Sequence, residues 1–319
     1  LQQVLKNVSS PGAEFRGAPF WAWNAKLSPD ELRRQIRFMK SMGLGGFFMH
    51  SRVGLGTEYL GEEWFECIRA CLDEARQNGM LVWLYDEDRW PSGAAGGLVT
   101  KDPAFRARHL LFTRKPYDAC DRIATAAKGS SAVPLRTGNG KLLARYDIRL
   151  DAAGDLASYR KLGENETPEG FVCYAYLETA AENPWFNNQT YVDTLNPAAI
   201  RRFLDVTHER YLQAVGQDFG GVIPAIFTDE PQFTHKTVLA FADSAADVIL
   251  PWTDDLPDTF SEAYAENLLD CLPELFWELP GGRVSTVRYH YHDHIAERFA
   301  RSFADQVGEW CRSHGIMLT

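Results

Sequence analysis

The sequence predicts an α/β chain of the (β/α)8 TIM-type barrel class, present as an incomplete N-terminal portion with an antiparallel β insertion after the third strand. Three observations predict it. Short apolar strands alternate with amphipathic helices over roughly the first ninety residues; polar residues close three successive strands; and near Arg108 the alternation gives way to short runs between turn residues, resuming near Asn196.

Pro19 to Asn24 (PFWAWN) reads as a short apolar strand ending in a polar residue. Ser28-Pro29-Asp30-Glu31 predicts a helix start, with Ser28 as N-cap, Pro29 in the first helical position and Glu31 completing a capping box. Leu32, Ile36, Met39 and Met42 follow at helical spacing, and Gly43 ends the helix. Gly46 to His50 (GFFMH) is the second strand. Glu62 to Asn78 is a second helix, with Phe65, Ile68, Leu72 and Ala75 on one face and Gly79 after it, and Met80 to Tyr85 (MLVWLY) is the third strand. Helical crossovers of this kind join parallel strands. A doubly wound sheet shares the pattern but concentrates its polar strand ends at one switch point. Here Asn24, His50 with Arg52, and Asp86-Glu87-Asp88 close three consecutive strands, which favours the barrel.

Between Arg108 and Tyr191, Leu142 to Leu150 and Phe171 to Leu177 read as strands separated by turns such as Thr137-Gly138-Asn139-Gly140. Asn196-Pro197 starts a helix running to about Gln217. Gly221 to Thr228 (GVIPAIFT) is the fourth strand, ending in Asp229-Glu230-Pro231. Two further helices, Phe260 to Leu279 and Thr286 to His314, precede a strand beginning at Ile316. The expected organisation is 1–107 for the first three β/α units, 108–190 for the β-rich insertion, and 191–319 for the barrel continuation with its fourth strand, long loop, helices and the start of a fifth strand. About four and a half units fall short of a closed eight-stranded barrel, so the chain reads as a fragment of a larger protein with truncated termini, and no compartment is implied.

The net charge of −10 disfavours a nucleic-acid partner, because backbone binding needs clustered Lys and Arg. The apolar stretches are too short and interrupted to span a membrane. The cysteines (Cys67, Cys71, Cys120, Cys173, Cys271, Cys311) form no Cys-x-x-Cys pair and read as reduced, buried thiols. A Walker A loop, Gly-x-Gly-x-x-Gly and Gly-x-Ser-x-Gly are missing, so nucleotide hydrolysis, dinucleotide binding and nucleophilic-serine chemistry lack support.

Glu230 is the sharpest chemical signal. The pair Asp229-Glu230, at the end of a buried strand and followed by Pro231, aims carboxylates into the mouth of a barrel. Cleaving a glycosidic bond takes one carboxylic acid to protonate the leaving oxygen and a second carboxylate as base or nucleophile. A lone Asp-Glu-Pro is as readily a salt-bridged loop; the other polar strand ends converging on it reverse that reading. In Asp86-Glu87-Asp88, strand alternation places Asp86 and Asp88 on one side and Glu87 on the other. These acids are candidates for binding sugar hydroxyls, for ligating a hard cation such as Ca²⁺, or for catalysis, against a solvated acidic loop. Trp90 beside them suits the apolar face of a pyranose. His50 and Arg52 are candidates for orienting a substrate, with a satisfied core histidine as the other reading of His50. Trp21 and Trp23 share one side of the first strand, as the floor of a subsite or as barrel filling. Helical spacing places His290 and His294 on one face and His292 off it, a solvated face rather than a metal cluster.

The runs Arg16-Gly17-Ala18-Pro19-Phe20-Trp21-Ala22-Trp23-Asn24, Gly45-Gly46-Phe47-Phe48-Met49-His50, Leu84-Tyr85-Asp86-Glu87-Asp88-Arg89-Trp90-Pro91-Ser92-Gly93 and Thr228-Asp229-Glu230-Pro231 resemble glycoside hydrolase family 106, the α-L-rhamnosidases and their relatives. The resemblance covers most of the chain outside the β insertion. It implies a barrel catalytic domain, an inverting mechanism, calcium near the active site, and Glu230 as general acid, with the general base beyond Thr319. The expected function is an inverting, α-L-rhamnosidase-like cleavage of terminal sugars from a plant or microbial polysaccharide or glycoconjugate. Asn24, Trp23, His50, Arg52, Asp86, Glu87, Asp88, Trp90 and Asp229 are expected around the carbohydrate. Two alternatives stay open: a metal-dependent hydrolase in which Asp86, Asp88 and His50 hold a catalytic cation, and a non-catalytic carbohydrate-binding barrel.

Overall fold

The computed structural model describes residues 8, 10–117 and 136–319. Cys120 and part of the expected insertion lie outside them. In chain order the strands are β1 (Phe20–Trp23), β2 (Gly46–Ser51), β3 (Leu81–Tyr85), β4 (Arg108–Thr113), β5 (Lys141–Leu150), β6 (Leu156–Lys161), β7 (Phe171–Thr179), β8 (Ala225–Phe227), β9 (Val248–Trp252) and β10 (Met317–Leu318). They form one parallel and one antiparallel sheet, and the chain divides into two units, one around each.

The first unit comprises Leu1–Val99, Ile200–Pro231 and Ala304–Thr319. Its sheet runs β1-β2-β3-β8-β10, and every pairing is parallel. The helices Pro29–Ser41 and Glu62–Asn78 make the first two crossovers. Leu32, Ile36 and Met39 are the buried stripe of the first. The expected capping box does not form: Ser28 makes no side-chain cap, and the Glu31 carboxylate accepts instead from Arg34 and Gln35. The second helix ends as its sequence predicts, on Gly79 in a left-handed conformation (φ 58°, ψ 46°) that a side chain disfavours. Phe47, Met49, Val82 and Leu84 are all buried in the sheet. Trp23 is 1% exposed and packs edge-on against Trp64 of the second helix, ring centroids 5.0 Å apart. It is therefore a core residue, and the expected place in a sugar subsite is corrected. The opposite face carries linked rings: Phe20 meets Phe48 and Phe227, each at 4.9 Å, and Phe48 stacks on Trp83 at 5.0 Å. Phe20 stays 59% exposed on that face.

The helix expected from Asn196 to Gln217 is broken at Thr207 into Pro197–Val206 and His208–Val215. The Thr207 hydroxyl donates to the Phe203 carbonyl at 2.7 Å, the local bond that bends helices. The fourth strand is shorter than its apolar run because Ile223 N–H turns back to Asp218 and Pro224 has no N–H to give.

The second unit, Thr100–Ala199 and Gln232–Phe303, holds the antiparallel sheet β6-β5-β7-β4-β9. The runs expected at 142–150 and 171–177 are β5 and β7, paired antiparallel with a bulge between Leu142 and Ala144. Strand β9 was not expected. It pairs with β4 (Leu110 opposite Leu250), so residues 232–303 pack with this sheet and are not barrel continuation. The reason is burial: Leu110, Phe112, Tyr146, Ile148, Leu250 and Trp252 share one core with Phe260, Tyr291 and Ile295 from the following helices. Those helices are Leu256–Tyr264, Leu268–Cys271 and Thr286–Phe299, the last followed by a π-helical turn and then Gln306–Ser313. The three histidines of Thr286–Phe299 do not form a solvated face. His294 is buried with its Nε2 3.0 Å from the Thr259 hydroxyl, His290 stacks on Tyr264, and His292 lies 3.0 Å from Lys236 Nζ.

No helix is long and apolar enough to cross a membrane among the described residues. Cys67, Cys71, Cys173, Cys271 and Cys311 are free thiols, all buried but the half-buried Cys271.

Candidate active site

The parallel register decides where the polar strand ends meet. Trp23 lies opposite Ser51, and Tyr85 opposite Phe227, so the residues that follow (Asn24, Arg52, Asp86 and Thr228) emerge along one edge of one sheet. Carboxyl ends of parallel strands are where α/β folds place their ligands.

His50 occupies the centre. It is 3% exposed, and its ring stacks on Tyr85 with centroids 3.9 Å apart. Its Nδ1 stands 2.9 Å from the Ser51 carbonyl, which can only accept, so that nitrogen carries the hydrogen. The other nitrogen, Nε2, faces Asp229 Oδ2 at 3.6 Å, and the Tyr85 hydroxyl reaches the same oxygen at 3.5 Å. The Asp229 carboxylate thus lies beside both rings, with the Tyr85 hydroxyl as its donor. Glu230 follows it exposed, with a left-handed backbone (φ 45°) that is strained for any residue but glycine.

The three acids after β3 diverge. Asp86 is fully buried and accepts a 2.6 Å hydrogen bond from the Ser92 hydroxyl at Oδ1. Burial pushes its pKa up to about 7 against the pull of the Ser92 and Thr228 hydroxyls. Glu87, also fully buried, is caged by backbone amides: Asp88 and Gly96 donate to Oε1 at 2.8 and 2.5 Å, Gly93 and Ala95 to Oε2 at 3.0 and 2.7 Å. Burial raises its pKa and the amides oppose the rise. All four partners are donors, so the cage suits the ionised carboxylate. Asp88 accepts from the Ser51 hydroxyl at 3.1 Å and pairs with Arg89 at 3.3 Å.

Glu87 and Asp88 are therefore engaged in holding the loop. Asn24 and Arg52 are exposed at the strand edge and Trp90 is half-buried. Gly54 (φ 101°) lets the loop after β2 fold against Asn24: a Cβ there would come 3.0 Å from the Asn24 carbonyl oxygen. Among the described residues no group of three or more His, Cys, Asp and Glu side chains is placed to hold a metal ion. Asp86, Asp88 and His50 form no such group, so a catalytic cation held jointly by these three does not fit; a calcium ion, which also takes carbonyl and water oxygens, stays what the resemblance implies.

No protein-family model matches the chain, and no curated protein matches it. A solved structure does: the rhamnosidase from Novosphingobium sp. PP1Y, with a TM-score of 0.56 and 12% identity, over 98% of this chain and 46% of that one. This chain is similar in fold to a rhamnosidase. It spans about half the length of that protein.

Two residues of the site escaped the sequence reading. Tyr85 reads as the last apolar residue of a strand, yet register places it beside His50, where its hydroxyl reaches Asp229. Ser92 sits in a turn-like Trp-Pro-Ser-Gly run, and only the fold brings it to Asp229: its amide donates to the Asp229 carbonyl and its hydroxyl accepts from the Asp229 amide, both at 2.8 Å.

The raised acids make a pH prediction. Asp193 of the antiparallel unit, 4% exposed, is also pushed up to about 7 by burial. The unfolded value for aspartate is about 4. Between about pH 4 and 7 the folded chain thus holds protons that the unfolded chain has lost, so this contribution is full below pH 4 and fades as pH rises through 7. The urea midpoint is expected to fall between pH 5 and 8, and Asp86→Asn to shrink that fall. An unchanged slope in Asp86→Asn would show that Asp86 does not hold the proton.

Proposed function

We propose that this chain is the N-terminal part of the (β/α)8 catalytic barrel of an inverting, α-L-rhamnosidase-like glycoside hydrolase of family 106, with Glu230 as general acid. Its substrate would be a terminal sugar on a plant or microbial polysaccharide or glycoconjugate. The observation that carries this reading is the Asp229-Glu230 turn: a strained left-handed backbone at the carboxyl end of a parallel strand leaves Glu230 exposed, while the Tyr85 hydroxyl donates to Asp229 and the His50 ring lies beside it. The likeness in fold to a rhamnosidase supports it.

In this reading the sugar sits over the strand ends, where Asn24, Arg52, Trp90 and Asp229 meet its hydroxyls and apolar face. Glu230 donates its proton to the glycosidic oxygen as the bond to the anomeric carbon breaks. A second carboxylate, supplied further along the barrel and roughly 6.5–9.5 Å from the first, takes a proton from the water that attacks the opposite face. The ring-lined face around Phe20 becomes barrel interior, covered by the strands that close the barrel. No step runs through calcium.

The test is hydrolysis of a panel of alkyl glycosides, α-L-rhamnoside included, by the full-length parent protein and its Glu230→Gln variant. Turnover of one glycoside that collapses in the variant is expected, with the released sugar appearing first as the inverted anomer. Retention would overturn the inverting mechanism, and the absence of turnover on every sugar would overturn the reaction class.

A further inference from the structure

We propose that Ser92 is a positioning residue for the candidate acid: its hydroxyl and its amide together hold the Asp229-Glu230 turn in the left-handed backbone that presents Glu230. The role in catalysis rests on the reading of Glu230 given above; the hold itself is a matter of geometry.

The Ser92 hydroxyl has one hydrogen, and Asp86 Oδ1 receives it at 2.6 Å. That orients a lone pair at the Asp229 amide, which donates to it at 2.8 Å. The Ser92 amide in turn donates to the Asp229 carbonyl at 2.8 Å. Both backbone polar groups of Asp229 are thereby fixed, and its carbonyl belongs to the peptide unit that enters Glu230. The next residue is then left with φ 45°, a conformation that relaxes unless its surroundings impose it. Ser92 has little freedom of its own, being fully buried between Asp86 and the loop that cages Glu87. A hydroxyl is the smallest side chain that can accept from Asp229 while donating to Asp86. Alanine keeps only the amide bond, and a thiol is a weak acceptor.

The experiment is amide hydrogen exchange across the Asp229-Glu230 turn in the parent protein, compared with Ser92→Ala and Ser92→Cys. Exchange at the Asp229 amide is expected to quicken by roughly tenfold or more in both variants, with β2 and β3 unchanged, and to stay near the parent rate in Asp86→Asn, which keeps an acceptor for the hydroxyl. Either serine variant suffices if the other does not fold. On a glycoside the parent cleaves, both variants are expected to lose roughly ten- to hundredfold in kcat with KM unchanged. Unaltered exchange overturns the hold. Faster exchange with unaltered kcat overturns the positioning role. A parent that cleaves no glycoside removes the glycosidase reading, while exchange still decides the hold.

Discussion

Replacing Glu230 with glutamine is expected to lower kcat on a glycoside with an alkyl leaving group by about 10²–10⁴-fold, the usual contribution of a positioned general acid. An alkoxide needs a proton to leave, whereas a nitrophenolate departs nearly unaided. The variant should therefore retain most of its rate on a nitrophenyl glycoside and lose it on the alkyl one. Folding should be indifferent to the change, because Glu230 is exposed and its backbone strain is untouched by swapping an acid for an amide. Equal losses on both substrates would give Glu230 a role other than proton donation. No loss on either would place the acid elsewhere, and Glu87 is a poor alternative because backbone amides occupy both its oxygens.

Replacing Glu87 with glutamine is expected to act on the fold instead. The new amide group presents hydrogens to two backbone N–H donors that now have no acceptor. Leaving two buried donors unsatisfied costs roughly 2–6 kcal/mol, on the scale of a whole domain's stability. The loss should show as a lower urea midpoint, accompanied by faster amide exchange at Gly93, Ala95 and Gly96. The same variant would lose activity through the loop that carries Ser92. An unfolding free energy within about 0.5 kcal/mol of the parent, the usual spread of a surface substitution, would mean that the cage contributes little.

The parts of the fold that could be read from the sequence are those whose signals are local. Leu32, Ile36 and Met39 repeat at the helical period and are the buried stripe of the first helix, and Gly79 stops the second in the left-handed conformation expected. Strand β9 could not be read this way. Its five residues are buried without polar alternation, it contains Pro251, and its partner β4 lies far away in sequence, so nothing local separates it from a loop. The long helices expected after it carried the same weakness, since apolar spacing does not say which sheet a helix will cover. Ser28-Pro29-Asp30-Glu31 promised a capping box, but Arg34 and Gln35 compete for the same carboxylate and win it.

The site divides along the same line. Asp229, Glu230 and His50 stand out because acids and a histidine at apolar strand ends are conspicuous. Asp86, Glu87 and Asp88 were equally conspicuous, yet their partners are a buried serine hydroxyl, four backbone amides and an adjacent strand's serine. Backbone donors leave no residue signature, and the cage depends on positive φ at Gly93, Ala95 and Gly96, of which only the glycines hint at it. Tyr85 and Ser92 were hidden because register and loop closure, not composition, bring them to Asp229.

The central claim is that a sugar binds over the carboxyl ends of the parallel strands with its glycosidic oxygen at Glu230. The most direct measurement is a crystal structure of the full-length Glu230→Gln variant holding an uncleaved glycoside. The account predicts the residue 230 side chain within about 2.6–3.2 Å of the glycosidic oxygen, the reach of a proton donor, and Asp229 on a sugar hydroxyl. A glycoside bound on the antiparallel unit, or seated at the strand ends with its glycosidic oxygen turned away from residue 230, would contradict it.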